Sequence, residues 1–435
     1  LTRPGKGGCF PCSKGYLRVA ASGYNPPMSE RRFELFGQAQ ADVCAPRSIA
    51  EAQDAISRAH HQALFPWGGG TRQHVGYAPG RAGRVVCTEH LNTVTDYEPA
   101  DLVASAQAGM TLAALQEVLA QHGQWLPLLV ARPQAQTIGG IVAARAHSLL
   151  RLGFGGVRDS LLGVKMINSD GEIIQGGGKV MKNVSGYDLP KLYCGSWGTL
   201  GLIAEATFKV APLPAATATV LLPLPAERNS EDTLDALLAS PLAPSFLLLL
   251  SPQAARDILE AHDNAQYLAV GFDGLAEDVQ WQLGALGTSE NVLPPAIAQQ
   301  VRARLGDFSL QDAPMICAFH ILSSQVGAYS RMMEWTARKA GFTASVLSDA
   351  ALGIVHAHFA PQDETSDWRV FYADLQDKAA RVGGSFIIER MPDELRGAGA
   401  EVWSPLLADL ALMRRVKDNL DPRGQWNPGR FAGHL

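Results

Sequence analysis

Apolar residues first settle into a period at the start of the fifth decade: Ile49, Ala52, Ile56 and Ala59 recur at helical spacing. Ser48 stands just before them with Glu51 three residues on, a capping box, so the spacing predicts a helix beginning here. The pattern then shortens. Residues 63–66 are an apolar run that leads into consecutive glycines, residues 83–89 are rich in β-branched positions, and residues 101–109 alternate before a turn. Thr111 is placed to cap a second helix that Gly123 stops. Residues 160–212 alternate short strands with turns expected at Ser169-Asp170-Gly171 and Gly176-Gly177-Gly178, which reads as α+β rather than as regular βαβ repeats.

A Pro/Ala-rich stretch near residue 214 separates this part from a second α+β region, residues 214–385, with few glycine clusters. Its helix candidate is 230–240, and its strand candidates are 245–251, 317–322 and 352–360. Residues 401–420 read as one helix, ended by Asp421-Pro422-Arg423-Gly424 and followed by a tail through Asn427-Pro428-Gly429-Arg430. The expected division is thus a first domain at 28–213, a second at 214–385 and a C-terminal segment at 386–435. Residues 1–27 show neither period and read as a disordered extension, with Met28 opening the more ordinary sequence.

Composition narrows the class. The chain has 435 residues, 47% apolar and 18% charged, with net charge −5, which suits a globular protein of two or three domains. No Lys/Arg cluster marks a surface for nucleic acid or anionic lipid. Six cysteines are scattered, and only Cys9 and Cys12 have a CxxC spacing, which reads as part of the tail or as a metal site. No apolar run is long enough to span a bilayer, so the expectation is a reduced, cytoplasmic protein.

Three segments are candidates for chemistry. Pro66-Trp67-Gly68-Gly69-Gly70-Thr71 follows a strand, and its glycines allow the backbone to approach a ligand closely. A nest of N–H groups there would hold a pyrophosphate with charge-assisted bonds of about 1.5–3 kcal/mol each; an ordinary loop is the equal alternative. In the second segment, running from Pro133 through Thr137-Ile138-Gly139-Gly140 to Ala143, paired glycines open a run of small residues. It suits packing against a flat ring or a phosphate, or a tight turn before a buried helix. The third runs from Lys182-Asn183-Val184-Ser185-Gly186 to Gly195-Ser196-Trp197-Gly198 and Ile203. Neither the P-loop nor the Rossmann fingerprint is present.

Taken together, and with Asp96 to Leu102, Ala108-Gly109, Gly156 to Asp159 and Gly171-Glu172, these segments resemble the PCMH-type FAD-binding domain. Vanillyl-alcohol oxidase and the bacterial D-2-hydroxy-acid dehydrogenases share that domain, and the resemblance covers residues 43–213. It implies an α+β, two-subdomain FAD-binding domain followed by an α+β cap, with the C-terminal segment returning to the first domain. Within the family, Val180 to Leu189 and Asp421 to Arg430 are most similar to the GlcE-like FAD-binding subunits of glycolate oxidases. The resemblance implies that the loop at 66–71 and the turn at 137–140 hold the pyrophosphate, that Pro133 and Ala143 flank it, that Ile203 lies toward adenine or ribose, and that Asn427 returns to the flavin. Flavinylated relatives place a His in the first glycine loop. Here Gly70 and Thr71 stand there and the nearest His is His74, so FAD is expected to be non-covalent.

The catalytic positions depart from the family. Its single-chain dehydrogenases carry a His run with Gly-Asp-Gly-Asn and a later Glu-His pair. This chain has His356-Ala357-His358 and Glu389-Arg390 instead. His356 and His358 share one side of a regular strand and are weak metal candidates; Arg390 is a weak candidate for clamping a carboxylate, an ordinary salt bridge being the alternative. No general base is identified. The resemblance therefore implies a flavin subunit of a complex, with a homologous flavin subunit and an iron–sulfur subunit as partners. That complex would oxidise glycolate or a similar small 2-hydroxy acid and would bring the chain to the inner face of the membrane. A self-sufficient D-lactate-type dehydrogenase and a non-catalytic assembly subunit are the alternatives.

Overall fold

Ser48 does cap a helix, Ile49–Ser57, its hydroxyl accepting from the Glu51 N–H at 3.1 Å. The computed structural model describes residues 33–435 except 37, 41, 60, 179–186, 225–229, 288 and 407. The tail at 1–27, with Cys9 and Cys12, and most of the Val180 to Leu189 motif therefore lie outside the described residues.

The helix covers a three-stranded parallel sheet, in the spatial order Asp42–Cys44, Gly83–Cys87, Ala63–Trp67. Both of its faces are covered, which is why the strands read as apolar runs rather than as alternation. Leu64 and Val86 meet Ala52 and Ile56 of the helix on one side, while Phe65, Trp67, Val85 and Cys87 pack with Phe33 on the other. A five-stranded antiparallel sheet follows, in the order Ile173–Gly177, Leu161–Ile167, Leu202–Lys209, Val103–Gln107, Val94–Glu98. Thr111 caps helix Leu112–Ala120, and with helix Ile138–Ala144 it closes the core of this sheet. The turn anticipated at Gly176-Gly177-Gly178 is instead the end of a strand. A Cβ at Gly176 would stand 2.5 Å from the Cβ of Leu189, so this glycine permits helix Leu189–Tyr193 to lie on the sheet.

The remaining chain builds an eight-stranded antiparallel sheet. Its order is Ala216–Leu224, Gln266–Gly274, Phe246–Leu250, Phe342–Asp349, Ile354–Pro361, Met315–His320, Ser385–Arg390, Trp403–Ser404. One face is closed by helices including Val326–Lys339 and Trp368–Arg381. Helices Pro252–Leu259 and Pro295–Asp307 cover part of the other, so all of Phe246–Leu250 is buried. The sheet does not stop at residue 385, where the sequence places the end of the second domain: Ser385–Arg390 and Trp403–Ser404 belong to it. The C-terminal helix is accordingly shorter than 401–420. Pro405 would break its interior and Trp403 pairs with Ile387, so the helix runs Leu410–Leu420.

Beyond that helix the chain returns to the first sheet. The Leu64 N–H donates to the Gln425 carbonyl at 2.7 Å, and the Asn427 N–H donates to the Leu64 carbonyl at 2.9 Å. Buried Lys417 fastens the return, bonding Asp421 at 2.6 Å, the Thr199 carbonyl at 2.6 Å and the Trp426 carbonyl at 2.9 Å. No helix among the described residues is long and apolar enough to cross a membrane.

Candidate functional site

The glycine loop leaves strand Ala63–Trp67 and passes against residues 135–137. A Cβ on Gly68 would fall 2.1 Å from Thr137 Oγ1, and one on Gly69 would fall 1.6 Å from the Ala135 carbonyl oxygen. Only glycine fits either position. Thr137 in turn caps helix Ile138–Ala144, its hydroxyl accepting from the Gly140 N–H at 3.3 Å. Opposite stands the segment from Trp197 to Ile203. There Gly198 has φ +68°, and a Cβ on it would lie 2.9 Å from Asn427 Nδ2, which itself donates to the Trp197 carbonyl at 2.8 Å.

These four pieces of chain enclose one cleft. Pro66, Trp67, Gly68, Gly69, Gly70 and Thr71 form one wall; Thr137, Gly139, Gly140 and Ala143 a second; Ile203 and Asn427 complete it. Pro133 and Ile138 do not line it. The Ile138 side chain is fully buried in the core beneath its helix, and the Pro133 carbonyl accepts from the Ala113 N–H at 3.1 Å. Among the described residues the lining contains no His, Cys or Tyr. It does contain Arg72 and Gln73, which the sequence gave no reason to single out, and Trp197 and Arg430, which stand in quoted motifs but were given no place at the site. Arg430 is buried and ties the loop down through the Arg72 carbonyl at 2.8 Å, Gln73 at 2.8 Å and the Val75 carbonyl at 3.1 Å. Its burial pushes the guanidinium down to about 10.

Arg72, Ala144 and Trp197 also border a second cavity, of about 380 Å³, between the first domain and the open part of the eight-stranded sheet. Strand alternation decides what the sheet contributes. Cys317, Phe319, Val355, Ala357, Phe386 and Ile388 point into the helix-covered core, so His320, His356 and Glu389 face the first domain. That domain supplies Arg145, His147, Arg151, Arg158 and Asp159. Arg72 crosses the junction to Glu389 at 3.1 Å and to Ser309 at 3.3 Å.

The imidazoles here are held neutral. Burial takes His356 down to about 4, opposed by Glu389 and aided by Arg72 and by the cost of a second charge beside the His320 ring, and among the described residues neither of its ring nitrogens has a hydrogen-bond partner. The His147 ring lies 5.0 Å from it and is pushed well below its ordinary value, first by burial and then by His356 and the arginines. His147 and His356 also border a small void with Asp349, whose carboxyl burial raises to about 7. His358, on the same face of the strand, lies flat on Phe308 with ring centres 3.9 Å apart, and burial takes it down to about 3. Among the described residues no three His, Cys, Asp or Glu side chains converge as a metal site. Arg390 lines neither cavity; its guanidinium pairs with exposed Asp312. His74 also stands outside the cleft, taken down to about 3 by burial and by the nearby Arg390, Arg72, Arg430 and Arg396.

Residues 41–177 match the sequence model of a family described as "FAD binding domain". Glycolate oxidase subunit GlcD of Bacillus subtilis is 24% identical over 421 residues, covering 89% of this chain and 88% of that subunit. Glycolate oxidase subunit GlcE of Escherichia coli is 39% identical over 125 residues, 28% of this chain and 36% of that one. In fold, a crystal structure of p-cresol methylhydroxylase with substrate bound aligns with TM-score 0.69 at 14% identity, covering 90% of this chain and 88% of its own.

Proposed function

We propose that this chain, whose first domain is a PCMH-type FAD-binding domain with FAD as its cofactor, is an oxidoreductase that acts on a small 2-hydroxy acid. The observation that carries this reading is the adjacency of two spaces: a cleft walled by glycines shares Arg72, Ala144 and Trp197 with a cavity rich in arginine and neutral histidine. In the first, the missing Cβ atoms of Gly68 and Gly69 let the loop lie directly on Ala135 and Thr137, which brings two glycine-rich stretches of backbone together as a dinucleotide pyrophosphate needs. The second has the groups that a hydroxy acid needs.

In this reading the loop at 66–71 and the turn at Thr137, Gly139 and Gly140 hold the pyrophosphate, Ala143 and Ile203 flank the dinucleotide, and Asn427 closes it from the C-terminus. FAD is held without a covalent bond. When bound it supplies the acceptor for the hydride from the substrate's α-carbon. The chain's own residues do the rest. Arg72, oriented by Glu389 and Ser309, faces the junction as a bidentate partner for the α-carboxylate. His356, neutral and with its ring nitrogens unpartnered, is the acceptor for the hydroxyl proton.

The similarity to two subunits named for glycolate oxidase supports work inside a complex with a homologous flavin subunit and an iron–sulfur subunit that receives the electrons. The histidine-bearing cavity favours a second reading, a chain that oxidises D-lactate or a similar acid by itself. One experiment separates them. The purified chain is examined for visible flavin bands, its chromophore is released and identified, and glycolate and D-lactate are then added without oxygen. Released FAD is expected; bleaching by either acid supports turnover by this chain alone, and unbleached FAD supports dependence on a partner. Failure to take up FAD overturns the proposal.

A further inference from the structure

Strand pairing sets Leu347 opposite His356, so Asp349, two residues further on, lies diagonal to His356 on the same face of the sheet. Diagonal neighbours stand about 7–8 Å apart along the backbone, which leaves space for one small molecule between a carboxyl and an imidazole. Both side chains are deeply buried, Asp349 at 1% exposure and His356 at 5%. Their hydrogen bonding is nevertheless incomplete. Asp349 Oδ1 accepts from the Leu352 N–H at 3.3 Å, while among the described residues Oδ2 and both ring nitrogens of His356 have no partner. Groups so buried are seldom left without a hydrogen bond, so these atoms call for one.

The two residues line a void of about 10 Å³, together with His147, Ser309 and apolar side chains such as Leu248 and Leu305. A space of about that size with two or more polar groups on it holds one water. Water suits each wall: it accepts from an imidazole N–H, donates to a carboxylate and meets the Ser309 hydroxyl. His356 also lines the arginine-bearing cavity, so its ring stands between the two spaces.

We propose that one buried water joins Asp349 to His356, and that Asp349 is a positioning residue for the proton transfer assigned to His356. This rests on the hydroxy-acid reading above and deepens it. Through the water, the carboxylate selects the tautomer of His356 whose N–H faces the void and whose bare nitrogen faces the larger cavity. When that nitrogen takes the proton of the substrate hydroxyl, the far N–H gives its proton to the water and the water gives one to Oδ2. The ring is then neutral again in its other tautomer, the carboxylate has become a carboxylic acid, and the electron pair has left separately with the hydride. After product release the proton returns along the same path to the open cavity. Asp349, raised to about 7, holds a proton better than His356, lowered to about 4. Arg151 favours the carboxylate of Asp349, and His147, His320, Arg72 and Glu389 are the other charged or titratable groups around His356.

The test follows His356 by nuclear magnetic resonance in the full FAD-loaded chain carrying nitrogen-labelled histidine, with His356→Gln to assign its signals. Above pH 7 a single tautomer is expected. As pH falls through about 7 its signals should shift because Asp349 is protonated, although the ring itself stays neutral down to about 4. Asp349→Asn should erase that step. Should this variant fold poorly, infrared spectra serve: the carboxylic acid band that vanishes above pH 7 in the parent should change frequency in His356→Gln, which alters one partner of the water. With whichever of glycolate and D-lactate reduces the flavin, Asp349→Asn should slow reduction about 100-fold at pH 8 with KM unchanged, and remove the fall in rate that the parent shows below pH 7. A His356 signal without a step near pH 7, or with the same step in Asp349→Asn, would overturn the inference, as would flavin reduction by Asp349→Asn at the parent rate. Reduction by neither acid, with the step present and lost in Asp349→Asn, would leave the bridge standing and return the question to the substrate or partner assigned above.

Discussion

Gly69 shows how much a single hydrogen atom decides at this site. A Cβ there would occupy a point 1.6 Å from the Ala135 carbonyl, and no side-chain rotation relieves a clash with backbone. Gly69→Val should therefore push the loop at 66–71 off the turn that faces it and abolish FAD binding. The measurement is flavin absorbance after reconstitution, with far-ultraviolet circular dichroism to show that the sheets remain; retained stoichiometric FAD would refute the placement of the pyrophosphate. Glycines of this kind are legible in the sequence because their constraint is local. Pro133 and Ile138 belong to the same run of residues yet fall outside the cleft, since a helix turns some of its residues into the core and no motif marks which ones. Arg72 and His147 leave no signal at all, and Glu389 stands out only as the first of the Glu389-Arg390 pair, with nothing to tie it to Arg72. They meet only because three separate elements converge, which chain spacing does not encode.

At the scale of elements, strand Ile354–Pro361 shows both what alternation reveals and what it hides. The period of two puts His356 and His358 on one face, as their spacing implies, but the nature of that face depends on what packs against it. The sheet buries both rings, and their protonation is coupled to folding. In the unfolded chain they titrate near the ordinary value of about 6.5. In the fold they stay neutral down to about 4 and about 3. As pH falls below about 6.5 the unfolded state binds more protons than the native one, so stability is lost progressively toward those lower values. Asp349 acts in the opposite sense. Its carboxyl is raised to about 7, so the native state binds the extra proton between about 3.8 and 7, and this term strengthens the fold as pH falls. Thermal unfolding between pH 7.5 and 5 should thus show a shallower acid loss in His358→Gln than in the parent chain, and a steeper one in Asp349→Asn. Identical pH slopes in all three would contradict the burial of these groups.

The whole molecule is closed by its C-terminus. The Pro/Gly signal at Asp421 to Gly424 marks the end of a helix, yet the sequence cannot show that Lys417 is the buried fastening of the segment that follows it. Burial lowers the Lys417 ammonium while Asp421 opposes that shift, and three oxygens surround it. Replacing it with Met leaves Asp421 buried with its charge unpaired, a change that typically costs about 3–5 kcal/mol. Two consequences should travel together. Urea unfolding of Lys417→Met should show the stability loss, and FAD should dissociate more readily, because the strip beside Leu64 that carries Asn427 into the cleft is no longer held. Asn427→Ala separates the two: it removes the bond to the Trp197 carbonyl without unpairing a buried charge, so FAD affinity should fall while the urea midpoint of the flavin-free protein falls by much less. If Lys417→Met lost stability but kept the parent affinity for FAD, the C-terminal return would be a brace for the fold and not a wall of the cofactor site.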